Sequence, residues 1–274
     1  MSLATLTQVM EQARIEGTAI AGLVVLGWED IGAFVAAGEA LNAPIILQAG
    51  PGCRRHTPLS ILGPMFRHYA ETASVPVVCH LDHGYELDEV RSAIDSGFTS
   101  VMIDGSQKSL SENIDITAAT IELAHPHGIS VEGEIGYVGY AAGKSSQGTD
   151  PDEAKMLVEQ TGLDALAISA GNTHLQTEQS ATINEDLVRQ IANFVPCPLV
   201  LHGGSGIPAE TRRHLAREKL VQKFNIGTEV RQVFGASLRA HLNSHPNDFD
   251  RLSIMTSTID PICEATKTVI ANLR

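Results

Sequence analysis

Short, almost unbroken apolar runs alternate with segments of helical period along the whole chain. Runs rich in Val, Ile and Leu at 19–25, 44–48, 77–81, 100–103, 130–135, 165–168, 198–201 and 223–226 have strand length. They lack the polar alternation of a half-exposed strand, as expected of parallel strands covered on both faces. Between them, apolar residues recur at helical spacing over 28–41, 59–73, 86–96, 111–127, 151–161, 184–194, 209–218 and 228–242, with a further helix near 261–272. Thr149 or Asp152, Ser111 and Asn184 stand where N-caps are expected. Gly97 and Gly128 stand where left-handed residues close a helix. Eight strands and eight intervening helices predict an α/β fold, a (β/α)8 TIM barrel with an additional C-terminal helix. The competing arrangement is an open, doubly wound sheet. A length of 274 residues suits one barrel domain spanning 1–274.

In such a barrel, chemistry sits at the C-terminal ends of the strands. Those ends carry Gln48, His80-Leu81-Asp82-His83-Gly84, Asp104-Gly105-Ser106, Glu132 and Glu134, His174, His202-Gly203-Gly204-Ser205-Gly206, and Asn225-Ile226-Gly227-Thr228. His83, His174 and His202 come from three different strand ends and form a sensible zinc set, since three imidazoles leave a position open for substrate. His80 is expected to point inward as support. Alternation puts Glu132 and Glu134 on the same inner face of one strand. Two inward carboxylates are costly unless a metal or hydrogen bonds satisfy them, so either a ligand or a buried ion pair is expected. The glycine-rich turns after the last two strands let backbone N–H groups approach an anion, which predicts a phosphorylated substrate. The segment 136–149, rich in Gly, Ala and Ser, follows the fifth predicted strand and is read as a lid.

Composition narrows the function classes. A formal charge of −13 argues against a broad nucleic-acid or acidic-lipid surface. No apolar run reaches the roughly 18 residues of a membrane span, and the first residues lack the pattern of a secretory signal. Four scattered cysteines (Cys53, Cys79, Cys197, Cys263) form no CxxC pair and read as reduced thiols. The expectation is a cytoplasmic enzyme acting on a small molecule, with no nucleic-acid or membrane partner.

The residues at the strand ends also resemble a known family. Val75-Pro76-Val77-Val78-Cys79-His80-Leu81-Asp82-His83-Gly84 is similar to the signature of the class II, zinc-dependent ketose-bisphosphate aldolases, the fructose- and tagatose-bisphosphate aldolases. Met102-Ile103-Asp104-Gly105-Ser106, Val131-Glu132-Gly133-Glu134-Ile135-Gly136 and Pro198-Leu199-Val200-Leu201-His202-Gly203-Gly204-Ser205-Gly206-Ile207-Pro208 match further motifs in order and spacing, across about residues 15–245. The resemblance implies a lyase that cleaves a ketose 1-phosphate or ketose 1,6-bisphosphate, reversibly, to dihydroxyacetone phosphate and an aldehyde. It implies Zn2+ on His83, His174 and His202, with Glu134 able to approach the metal. Asp82 matches the family's acid/base. Gly203, Ser205, Asn225, Gly227 and Thr228 would hold the phosphate, where members often use a monovalent cation such as Na+ or K+. A homodimer or homotetramer is expected.

The departures from the family pattern are specific. Tyr137-Val138-Gly139-Tyr140-Ala141-Ala142-Gly143 lacks the lid glutamate that moves the proton on the dihydroxyacetone phosphate carbon, with Ala141 or Ala142 in its place. Tyr137, Tyr140 or a metal-bound water are the substitutes the sequence offers. The usual His-Gly-x-Tyr-Lys reads His174-Leu175-Gln176-Thr177-Glu178, and the C-terminal stretch that supplies a distal arginine reads His245-Pro246-Asn247-Asp248-Phe249. Arg54-Arg55 follows the second strand instead. The expectation is an altered far end of the substrate, acidic and met by Arg54, with Gln48 beside it. Two other readings compete: a metal-dependent sugar-phosphate isomerase or epimerase, and a non-catalytic aldolase-like partner subunit.

Overall fold

The computed structural model describes residues 2–141 and 143–274. The eight apolar runs form β2 (Ile20–Val24), β3 (Ile45–Ala49), β4 (Val77–Gly84), β5 (Ser100–Ile103), β6 (Ser130–Ile135), β7 (Ala165–Ile168), β8 (Leu199–Leu201) and β9 (Lys223–Ile226), preceded by a two-residue strand β1 (Leu3–Ala4). Every pairing is parallel, in the order β4-β3-β2-β9-β8-β7-β6-β5, and β5 pairs back onto β4 to close the barrel. Apart from Val24, every residue of the eight barrel strands is buried, which accounts for their unbroken apolar pattern. β1 lies along the first residues of β4, with Leu3 opposite Val77, below the point where β5 begins to pair.

The helices follow from the predicted segments. They are α2 (Trp28–Ala40), α4 (Leu59–Thr72), α5 (Leu87–Asp95), α6 (Leu110–Ala124), α7 (Pro151–Thr161), α8 (Glu185–Phe194), α9 (Ala209–Arg217) and α10 (Thr228–Ser244), with α12 (Ile259–Ala271) returning to pack on α2. Asn184 caps α8 as expected, whereas Ser109 caps α6 and Asp150 caps α7, each two residues before the predicted serine or aspartate. Gly97 and Gly128 take left-handed backbone, at φ 84° and 70°. Among the described residues, three α-helices go beyond the strand–helix count: α1 (Leu6–Glu16), α3 (Pro51–His56) and α11 (Arg251–Thr256). α1 is the plug of the barrel. Its Leu6, Val9, Met10 and Ala13, at helical spacing, pack against Ile20, Ile46, Val78, Met102, Ala167 and Val200, which point into the barrel from below. Among the described residues, no helix is long and apolar enough to cross a membrane.

The barrel interior is thus layered. Above the apolar floor lie His80, Glu132 and Lys223, and above those Gln48, Asp82, Glu134, His202 and Asn225, all buried. Period-two alternation puts each set on the inner face, while the intervening Val, Ile and Leu residues face the helices. Gly22 on β2 leaves room in the upper layer, since a Cβ there would overlap the Gln48 side chain. The described residues of 136–149 are tied by backbone hydrogen bonds to one another and to the β7–α8 loop. Tyr137 and Gln147 exchange backbone hydrogen bonds at 2.9 and 2.7 Å, and Ala141 N–H donates to the His174 carbonyl. Ser146 Oγ also donates to the Asn172 carbonyl.

Candidate active site

β4 overruns its neighbours to Gly84, with a register shift between Leu81 and Gly84. Its last residues present Asp82 and His83, and His83 adopts left-handed backbone at φ 51°. Asp82 Oδ1 accepts hydrogen bonds from Gln48 Nε2 and Asn225 Nδ2, both at 3.0 Å. Burial pushes the Asp82 carboxyl up, but His83, His202 and Lys223 outweigh it and hold it below the usual carboxylate range. Asp82 is therefore an anion with one oxygen fixed by two amides.

The three histidines converge. His83 Nδ1 lies 2.9 Å from Asp104 Oδ2, which leaves Nε2 buried with no hydrogen-bond partner. His202 Nε2 donates to Glu132 Oε1 at 3.0 Å, which leaves Nδ1 buried, unpartnered and 3.2 Å from Glu134 Oε2. One nitrogen from each of His83, His174 and His202 lies within 4.8 Å of the others, and His83, Asp104 and Glu134 form an overlapping set. Burial, then His83 and His202, push the His174 pKa well down, so its ring is neutral, as a ligand must be. Orphaned imidazole nitrogens beside an orphaned buried carboxylate oxygen fit a divalent metal, because such groups are costly to bury unless something takes their lone pairs.

A cavity of about 450 Å³ opens over this cluster, and Asp82, His83, His174, Gly203, Ser205, Asn225, Gly227 and Thr228 all line it. Ser205 Oγ accepts from the backbone N–H groups of Gly227 and Glu229, at 3.1 and 3.3 Å, which ties the β8 turn to the start of the 17-residue α10. Such a helix start favours an anion.

Three expected roles change. Arg54 does not line the cavity. Its guanidinium donates to the backbone carbonyls of Ala49, Asp82 and His83 and pairs with Glu89 at 3.0 Å, so it braces the end of β4 and is not available to a substrate. Gln48 has no exposure and spends its amide on Asp82. Asn225 lines the cavity, yet its amide also donates to Asp82 rather than facing an anion. Among the described residues, the arginines that line the cavity are Arg55, next along α3, and Arg231 on α10. Of the lid tyrosines, Tyr137 faces Lys144, whose Nζ lies 4.8 Å from the ring centre, and lines a separate cleft. Tyr140 lies nearly parallel on His174, with centroids 4.9 Å apart, and lines the cavity. Ala141 is exposed, and Ala142 lies outside the described residues. Asp104 stands among the strand-end residues read from the sequence but without an assigned role, and Lys223 is not among them. Asp104 carried a signal, an acidic residue at a strand end, whereas Lys223 reads there as an ordinary polar residue beginning a strand.

Leu175, directly after His174, takes left-handed backbone at φ 60° while its side chain is half exposed. A non-glycine residue pays for that conformation, and glycine does not. Leu175→Gly is expected to raise stability by up to about 1 kcal/mol, net of the extra chain entropy glycine carries when unfolded. Thermal unfolding of the variant checks this, and a lower midpoint would refute it.

Taken together, fold and site define a TIM barrel with a candidate metal centre and a candidate anion-binding turn in one mouth. The sequence matches the family model for class II fructose-bisphosphate aldolase over residues 4–274, and the chain belongs to that family. Among solved structures it is similar to the YdjI aldolase from Escherichia coli K12, at 30% identity and a TM-score of 0.85, covering 99% of this chain and 97% of that one. It shares its fold with a fructose-bisphosphate aldolase from Campylobacter jejuni, at 21% identity and a TM-score of 0.85, covering 99% and 95%.

Proposed function

We propose that the chain is a zinc-dependent aldolase that cleaves a ketose 1-phosphate or ketose 1,6-bisphosphate, reversibly, to dihydroxyacetone phosphate and an aldehyde. The observation that carries the reading is the Asp82 carboxylate, fixed by two amides in the same mouth as three histidines with inward nitrogens. His83, His174 and His202, with Glu134, would hold the metal, which when bound supplies a Lewis acid for the substrate carbonyl. Gly203, Ser205, Gly227 and Thr228 would seat the phosphate at the start of α10. In cleavage, Asp82 takes the proton of the C4 hydroxyl. The C3–C4 bond then breaks, leaving the aldehyde and an electron pair on C3 that delocalises into the C2 carbonyl. Protonation at C3 completes dihydroxyacetone phosphate. Gln48 and Asn225 keep the Asp82 oxygen in place during that transfer.

Of the substitutes for the lid glutamate, we favour Tyr140 for exchange of the C3 proton, because it lines the cavity while Tyr137 faces another cleft. Tyr140→Phe is expected to slow exchange of the C3 hydrogen of dihydroxyacetone phosphate by about 10²-fold, with metal content unchanged. An unaltered exchange rate in solvent deuterium would transfer that role to water. At the far end of the substrate, Arg55 and Arg231 take the anion-recognising part first given to Arg54.

The test is dihydroxyacetone phosphate release from a panel of ketose 1-phosphates and 1,6-bisphosphates, after chelation and after restoration with zinc, cobalt or manganese. Metal-restored release is expected, and the best substrate identifies what the far end reads. A metal-loaded protein that releases nothing from any member of the panel would overturn the proposal.

A further inference from the structure

Below the three histidines, the barrel holds a polar layer that the cleavage chemistry does not touch. His80, Glu132 and Lys223 have no exposure at all. Lys223 Nζ lies 2.6 Å from Glu132 Oε2 and 3.4 Å from His80 Nε2. An ammonium has only donors, so His80 Nε2 is an acceptor and its Nδ1–H donates to Ser100 Oγ, 2.8 Å away. The other Glu132 oxygen accepts from His202 Nε2. Each group therefore has a defined partner, and the layer is a chain of contacts from β5 through β4 and β9 to β6 and β8. A buried Lys–Glu pair contributes little net stability compared with apolar residues of the same volume, so stability alone gives no reason for it.

Glu132 and Glu134 are two residues apart on the same face of β6, and both reach the His202 ring, at 3.0 and 3.2 Å. Lys223 distinguishes them. It contacts Glu132, while Glu134 Oε2 is left with no hydrogen-bond partner. We propose that Glu132, anchored by Lys223, is a positioning residue for the metal centre: it takes the His202 Nε2–H and thereby commits Nδ1 to the ligand cluster. The reason is the fixed geometry of imidazole. A ring whose one N–H is engaged by an immobile carboxylate presents its other nitrogen as a lone pair in a set direction, and is a better donor for it. Lys223, which contacts no ligand histidine, acts on the metal through Glu132 alone, and leaves Glu134 as the carboxylate free to approach the ion.

The inference rests on the metal-centre reading above, and the experiment separates the two. Glu132→Gln keeps the shape of the side chain, and Lys223→Met keeps its length without the charge. Near-UV circular dichroism identifies the folded variants, and zinc dissociation constants come from competition with a chromophoric chelator. Each variant is expected to bind zinc about 10–100-fold more weakly than wild type. The double variant should lose little more than either single one, because both changes act through one hydrogen bond. The visible spectrum of the cobalt-loaded protein should shift in both variants, which a change elsewhere in the packing would not cause. Folded Glu132→Gln with wild-type zinc affinity and an unchanged cobalt spectrum overturns the inference and leaves the proposed function standing. That variant decides the matter alone if Lys223→Met does not fold. Wild-type protein that binds neither ion would instead sink the metal-centre reading, and the inference with it.

Discussion

Asp82→Asn is expected to bind metal as wild type does and to lose about 10²–10⁴-fold in kcat, the usual contribution of a positioned acid/base. The substitution is nearly isosteric, and Oδ1 can go on accepting from Gln48 and Asn225, both at 3.0 Å in the native site. The inward nitrogens of His83, His174 and His202 are unaffected, so zinc content separates the proton-transfer role from the ligand role. What disappears is the ability to take a proton from the C4 hydroxyl in cleavage and to return it in condensation. KM should change far less than kcat, because the lost interaction matters most in the transition state. Turnover of Asp82→Asn at the wild-type rate would remove the residue from its role.

His202→Ala should lose metal and activity together, and metal stoichiometry by elemental analysis checks it directly. His202→Gln preserves volume and guards against a collapse of the layer that would mimic ligand loss. A pH signature accompanies the change. In chelator-stripped protein, burial opposes protonation of His202, but Glu132 and Glu134 prevail and raise its pKa from the ordinary 6.5 to about 10. A raised folded pKa contributes stability that is complete below the unfolded value and is lost as pH rises through the folded one. Stripped wild-type protein should therefore lose thermal stability between pH 6.5 and about 10. His202→Gln should show a smaller loss, the remainder coming from His83, whose pKa Asp82 and Asp104 also raise against burial. Stoichiometric metal in a folded His202→Ala would disprove the ligand assignment.

Much of this could be read from one chain of letters. Unbroken Val/Ile/Leu runs specify strands buried on both faces, and their alternation with eight helical segments leaves few topologies besides a closed barrel. The chemistry-bearing residues were legible for the same reason, since a barrel brings its strand ends to one mouth whatever their separation in sequence. Even the two glutamates of β6 could be assigned to one face by counting. The α1 plug was not among the helices read from the sequence; Leu6, Val9, Met10 and Ala13 do have helical spacing, but nothing local says that such a helix closes a barrel from below rather than covering its side.

Tertiary structure alone decided which neighbour each polar group meets. Arg54 and Arg55 are adjacent letters, yet successive residues of a helix point about 100° apart, so one braces the end of β4 and the other reaches the cavity. Gln48 and Asn225 became braces of Asp82 because the shear of the barrel sets three strand ends at one height around the space left by Gly22. The same register levels Lys223 with Glu132 and brings His202, one layer above, within reach of Glu132. Local sequence determines the period of an element and the face on which a residue lies. The height of that residue, and the partner it finds across the barrel, depend on how all eight strands slide past one another before the ring closes.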